Sequence, residues 1–133
     1  MKNQADTKAI AAAVKAQIKT FEPGRPILPG AMPVSLLGHT PGHVGYEIVS
    51  QGHEMIDIGD IVQSSIVSLA RPAWTIQWDS DKNQAVTTRR GELQRLASSH
   101  QLIFASHFPF PGVGRIERAG EGFRFLLELP ADK

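Results

Sequence analysis

The chain has 133 residues, 41% hydrophobic and 20% charged, with a formal net charge of +1 and no cysteine. One domain's length with enough apolar material for a core is implied, and a disulfide framework or a thiolate metal site is excluded. The near-neutral balance leaves no electrostatic footprint for nucleic acid or a membrane surface, no apolar run is long enough to span a bilayer, and the polar start MKNQADTK makes a poor signal peptide. A cytoplasmic protein with neither nucleic-acid nor membrane partners is therefore expected.

In chain order, residues 5–20 read as a helix. Ile10, Val14, Ile18 and Phe21 recur at helical spacing on one stripe, Ala11 to Ala13 add helix propensity, and Asp6 or Thr7 is a candidate cap. The element is taken as an N-terminal helix over 1–20. Residues 21–33 hold Pro23, Gly24, Pro26, Pro29, Gly30 and Pro33, a density that neither a helix nor a central strand survives, so this is an irregular connector. Val34 to Leu37 is a short apolar run stopping at Gly38. Val44–Ser50 and His53–Ile58 read as two strands turning at Gln51-Gly52. Ile61 to Leu69 is a short helix or covering loop, and Thr75–Trp78 a short strand. Asp79, Ser80 and Asp81 offer cap chemistry for a helix from about Lys82 to Ser98, with Val86, Leu93, Leu96 and Ala97 inward. Gly91 weakens that helix by about 1 kcal/mol relative to alanine. Gln101–Ser106 is a buried-strand candidate. Gly114–Arg118 and Phe123–Leu129 form a hairpin. The order points to one sheet covered by helices on one face.

Five histidines are present. His39 follows an apolar run through Gly38, His107 follows Leu102–Ala105 through Ser106, and Asp60 follows Met55–Ile58 through Gly59. Three strand ends thus each deliver a metal-capable group, and neighbouring strands would set them along one sheet edge. Two imidazoles and a carboxylate are a zinc donor set. His100 falls at a helix C-terminus, where an imidazolium is favoured without any functional role. His53 reads as an exposed strand residue, Asp57 lies inside its strand, and Trp74 and Trp78 read as packing residues.

Gly38-His39-Thr40-Pro41-Gly42-His43, then Ile58-Gly59-Asp60, then Ser106-His107-Phe108-Pro109-Phe110-Pro111-Gly112 resembles the metallo-β-lactamase superfamily. The branch is similar to that of methyl parathion hydrolase and the quorum-quenching lactonases. Arg71-Pro72 and Trp78-Asp79-Ser80-Asp81 fit it too, and the match runs from about Phe21 to the C-terminus. The resemblance implies an α/β (α+β) fold: half of an αββα sandwich, one mixed sheet with helices on one face, as a single half-domain over 1–133. It implies His39, Asp60 and His107 as metal ligands, with Asp60 bridging two metals, and zinc as the cofactor. His43, the second histidine of the motif, is not normally a ligand and, with Thr40, is a candidate support for the ligands. It implies a hydrolase of esters, lactones or phosphotriesters in which the metals act as Lewis acids.

The family's HxHxDH motif, which supplies most of the ligands, is absent, since no histidine precedes His39. The expectation is therefore a half-domain that is inactive alone and self-associates, as a homodimer, through its uncovered sheet face. The alternative is a split or oligomeric hydrolase completed by a partner chain carrying HxHxDH.

Overall fold

The computed structural model describes residues 2–128. Helix α1 spans Lys2–Val14 and passes into a 3-10 turn at Lys15–Gln17. Strands β1 (Ala31–Ser35), β2 (Val44–Ser50) and β3 (His53–Asp57) follow, then a 3-10 turn at Gly59–Ile61, a short α2 (Val67–Ala70) and the long α3 (Lys82–Ser99). Strands β4 (Leu102–Phe104), β5 (Val113–Ala119) and β6 (Gly122–Leu127) complete the chain. All six strands form one sheet in sequence order. Two antiparallel meanders, β1–β2–β3 and β4–β5–β6, join through the single parallel pairing of β3 with β4. The result is a mixed sheet, as the sequence led us to expect.

The core lies on one face. Helix α3 starts where the Asp81 carboxylate accepts the Gln84 amide hydrogen at 2.9 Å, and stops where His100 turns left-handed at φ 53°. Its inward residues are Ala85, Arg89, Leu93, Leu96 and Ala97. Leu93 and Leu96 are fully buried together with Ile56, Ile103 and Ile116 of the sheet, and Leu69 of α2 belongs to the same cluster. Burial of this kind is the main stabilising contribution, about 1.5–3 kcal/mol for each large side chain.

Several expectations are corrected. The N-terminal helix does not cover the sheet: every residue from Thr7 to Gly30 is exposed, including Ile10 and Ile18 of its apolar stripe. Periodicity made the stripe, but among the described residues Ile10, Val14 and Ile18 stay exposed and only Phe21, beyond the helix, meets the sheet, at the Tyr46 ring. The helix also ends before residue 20, and Asp6 and Thr7 lie inside it rather than at a cap. The connector yields earlier than expected, because β1 begins at Ala31 and includes Pro33. Having only β2 as a neighbour, β1 is an edge strand, where a proline's missing N–H is tolerated. Thr75–Trp78 forms no strand: the Trp74 carbonyl and the Ile76 amide are engaged by the Arg89 and Asp79 side chains instead of a ladder. Val86 is only half-buried, the inward position being Ala85. Leu129, the expected end of the last strand, lies outside the described residues.

The opposite face of the sheet carries no helix among the described residues. One register row there reads Pro33, Tyr46, Asp57, Phe104 and Val113, and the next Ala31, Ile48, Met55 and Leu102. Continued onto β5 and β6, these rows add Arg115, Leu126 and Glu128, with Arg115 paired to Glu128, so this face is apolar at its centre apart from Asp57 and charged at its far side, and Phe21 of the connector touches it at the Tyr46 ring. Among the described residues no helix is long and apolar enough to cross a membrane.

Candidate functional site

Three loops leave the same edge of the sheet. After β1 the chain runs through the buried Leu36 to Gly38 and His39, and a tight turn brings the His43 amide to the Thr40 carbonyl at 3.3 Å. After β3, Gly59 and Asp60 form a 3-10 turn. After β4, the Phe108 amide bonds the Ala105 carbonyl at 3.1 Å, and the buried Phe108 anchors that turn against Phe125. His107 is carried on it.

The three expected residues come together. His107 Nε2 stands 2.9 Å from Asp60 Oδ1, and His39 Nε2 stands 3.6 Å from Asp60 Oδ2. Each imidazole therefore addresses a different oxygen of one carboxylate. Among the described residues, no group of three or more His, Cys, Asp or Glu side chains could hold a metal ion as placed. The pairs do have the right dimensions. Two ligands each about 2.0–2.1 Å from a tetrahedral zinc lie about 3.3 Å apart, and the observed separations of 2.9 and 3.6 Å bracket that value. The three side chains thus form two pairs that share the Asp60 carboxylate, not one complete metal site. The Asp60 and His107 side chains are 41% and 43% exposed, so this edge is open to further ligands.

His43 is not among the donors. Its Nδ1 donates to the Leu36 carbonyl at 2.7 Å, and its Nε2 accepts the Asp60 amide hydrogen at 2.9 Å. A carbonyl can only accept and an amide N–H can only donate, so both ring nitrogens are committed to the backbone. His43 thus fixes the Asp60 turn to the end of β1. Thr40 contributes through its carbonyl, which closes the turn.

Two further participants were not singled out from the sequence. Asp79, read as cap chemistry, is a buried acid whose Oδ1 lies 3.2 Å from His39 Nδ1. Arg89, on the inward stripe of α3, meets Asp79 Oδ2 at 3.4 Å. The signal available was the spacing Ala85, Arg89, Leu93, Leu96, which sets an arginine on an apolar helix face. Trp74 and Trp78 are not packing residues; they are 62% and 69% exposed.

No protein-family model matches the chain, and no curated protein matches it. Solved structures do. The dizinc quorum-quenching lactonase AidC, solved with a product, N-hexanoyl-L-homoserine, superposes on 98% of the chain with a TM-score of 0.88 at 25% identity. The hydrolase AbOPH of the beta-lactamase superfamily superposes on 92% with a TM-score of 0.83 at 34% identity. A probable metal-dependent hydrolase from Staphylococcus aureus, at 19% identity and a TM-score of 0.67 over 89% of the chain, shares the fold. The chain spans 45%, 43% and 42% of these three proteins, less than half of each.

Proposed function

The chain carries the fold of one half of a metallo-β-lactamase superfamily hydrolase, and on that premise we propose that it is a metal-binding half-site, inactive alone and self-associating through its open sheet face. The observation that carries this reading is the division of Asp60 between two imidazoles, the arrangement a carboxylate needs to bridge two metals. His39 and Asp60 Oδ2 would hold one ion, and His107 and Asp60 Oδ1 the other. Zinc bound there would supply Lewis acidity toward an ester, lactone or phosphotriester. Asp60 and both histidines would be the donors, with His43 holding the Asp60 turn and Asp79 holding the His39 ring. A hydrolytic centre needs more ligands than these three side chains provide.

Self-association is supported by the apolar slab formed by Tyr46, Ile48, Met55, Leu102, Phe104 and Val113. These side chains are half-buried or, at Ile48, exposed, and a sheet face with no helix on it is a surface a partner can cover. A second copy packed across a two-fold axis would cover it with the same surface from each subunit, burying on the order of 2,000 Å². The purified chain is expected to show a dimeric mass by light scattering at micromolar concentration, a melting temperature that rises with protein concentration, and negligible turnover of esters, lactones and phosphotriesters. A monomeric mass with a concentration-independent melting temperature would overturn the association. Robust turnover, abolished by a chelator and by Asp60→Ala, would overturn the inactivity.

A second reading has its own support. The exposure of Asp60 and His107 leaves the donors open toward whatever covers the edge. In that reading the chain is part of a split hydrolase, and HxHxDH comes from a partner chain. Mixing with such a chain would then produce metal-dependent turnover that neither component shows alone.

A further inference from the structure

The Asp79 side chain is completely buried, and the Arg89 side chain is 3% exposed. Buried charges of this kind persist when their hydrogen-bonding capacity is met, and here it is. Asp79 Oδ1 faces His39 Nδ1 at 3.2 Å, while Oδ2 accepts the Ile76 amide hydrogen at 3.2 Å and an Arg89 Nη2 hydrogen at 3.4 Å. Arg89 reaches further. Its Nε donates to the Ile61 carbonyl at 2.5 Å, and its Nη1 to the carbonyls of Trp74 at 2.6 Å and Pro72 at 3.3 Å. Ile61 directly follows Asp60. One guanidinium on α3 therefore grips the main chain beside one donor and the carboxylate behind the other.

We propose that Asp79, locked by Arg89 and the Ile76 amide, selects the Nδ1–H tautomer of His39 so that the Nε2 lone pair faces Asp60, and that Arg89 is thereby a positioning residue for both donors. This rests on the reading of His39 as a metal donor. The reasoning is one of donor and acceptor counting. An ionised carboxylate can only accept, so a ring nitrogen within hydrogen-bond distance of one carries the proton; Asp79 Oδ1 is within that distance of Nδ1 at 3.2 Å, whereas Asp60 Oδ2, 3.6 Å from Nε2, is beyond it. In the neutral ring the remaining nitrogen is then the acceptor, and that nitrogen points into the site. Hydrogen bonds of this kind fix a ligand's tautomer and ring orientation.

Asp79→Asn tests it with almost no change of shape. The carboxamide has one oxygen, and two donors, Ile76 N–H and Arg89, hold it on their side. The NH2 group then faces His39 Nδ1, where two donors cannot meet, so the ring proton moves to Nε2. Long-range 15N–1H spectra of the metal-free protein, in buffer alkaline enough for neutral imidazoles, should show His39 as Nδ1–H in the wild type and Nε2–H in the variant. Zinc affinity, read by competition with a chromophoric chelator, should fall about 10- to 100-fold. An unchanged tautomer with unchanged affinity would overturn the proposal. Should Asp79→Asn fail to fold, Arg89→Lys carries the test: a point charge cannot reproduce the fork, a mixed His39 tautomer is expected, and a wild-type tautomer would overturn the proposal. If the wild-type chain takes up no zinc, the donor reading fails, and the metal-free tautomer still decides the role of Asp79.

Discussion

Gly38→Ala should destabilise the fold by about 3 kcal/mol or more, from left-handed backbone strain and a steric overlap together. Gly38 sits at φ +126°, where side chains are rarely accommodated, and an added Cβ would collide with the backbone N and Cα of Ala85 in the first turn of α3. Neither atom can move without moving the helix. The Gly38 carbonyl also accepts the Asp81 amide hydrogen at 3.0 Å and the Ser80 hydroxyl at 3.1 Å. This glycine is thus the point where the His39 loop and the start of α3 lock together. A drop of about 10 °C in the thermal midpoint is expected for a domain of this size, with zinc uptake impaired as well, because His39 is the next residue. A variant melting within a degree or two of the wild type would show that the close approach of the loop and the helix is not obligatory.

Asp60→Ala should have the largest effect on metal binding while leaving the fold nearly untouched. Asp60 is the one carboxylate facing both Nε2 atoms, so its loss removes an oxygen ligand from both pairs at once. Zinc content after dialysis should fall to background. The side chain is 41% exposed, and exposed ion pairs contribute little, so the metal-free stability should change by no more than about 1 kcal/mol. A chelator should lower the melting temperature of zinc-loaded wild type and leave that of Asp60→Ala unchanged, since a ligand stabilises only the state it binds. Undiminished zinc in the variant would remove Asp60 from the donor set.

The meeting of His39, Asp60 and His107 was legible because each follows an apolar run by one or two small residues, and strand ends in one sheet share an edge. The partners behind them were hidden for physical reasons. In the run Asp79-Ser80-Asp81 three residues offer the same cap chemistry, and only the folded chain distinguishes Asp81, which caps α3, from Asp79, which is buried. Arg89 replaces an apolar residue on the inward stripe, so periodicity passes over it, and its burial depends on carbonyls at Ile61, Pro72 and Trp74 supplied by an irregular segment. The stripe on α1 failed in the opposite sense. Spacing at helical period establishes an apolar face but not the surface it meets, and Ile10 stands 66% exposed. A sheet with helices on one face was readable from the order of elements, and its mixed character from the resemblance.

The single parallel pairing between β3 and β4 divides the sheet into two meanders, joined by three residue pairs and spanned by α3. His39 and Asp60 come from the first meander, and His107 from the second. The pair between His107 and Asp60 therefore straddles the seam, and it exists only when the two meanders are docked. Within each meander contacts are local and close quickly, whereas the seam must close a loop of some forty residues, from Asp57 to Leu102. Docking is therefore expected to be the late, non-local event, and an ion shared across Asp60 would act as a clasp on it. Amide hydrogen exchange along β4 should then slow when zinc is added, while exchange in the β1–β2 pairing stays as it was.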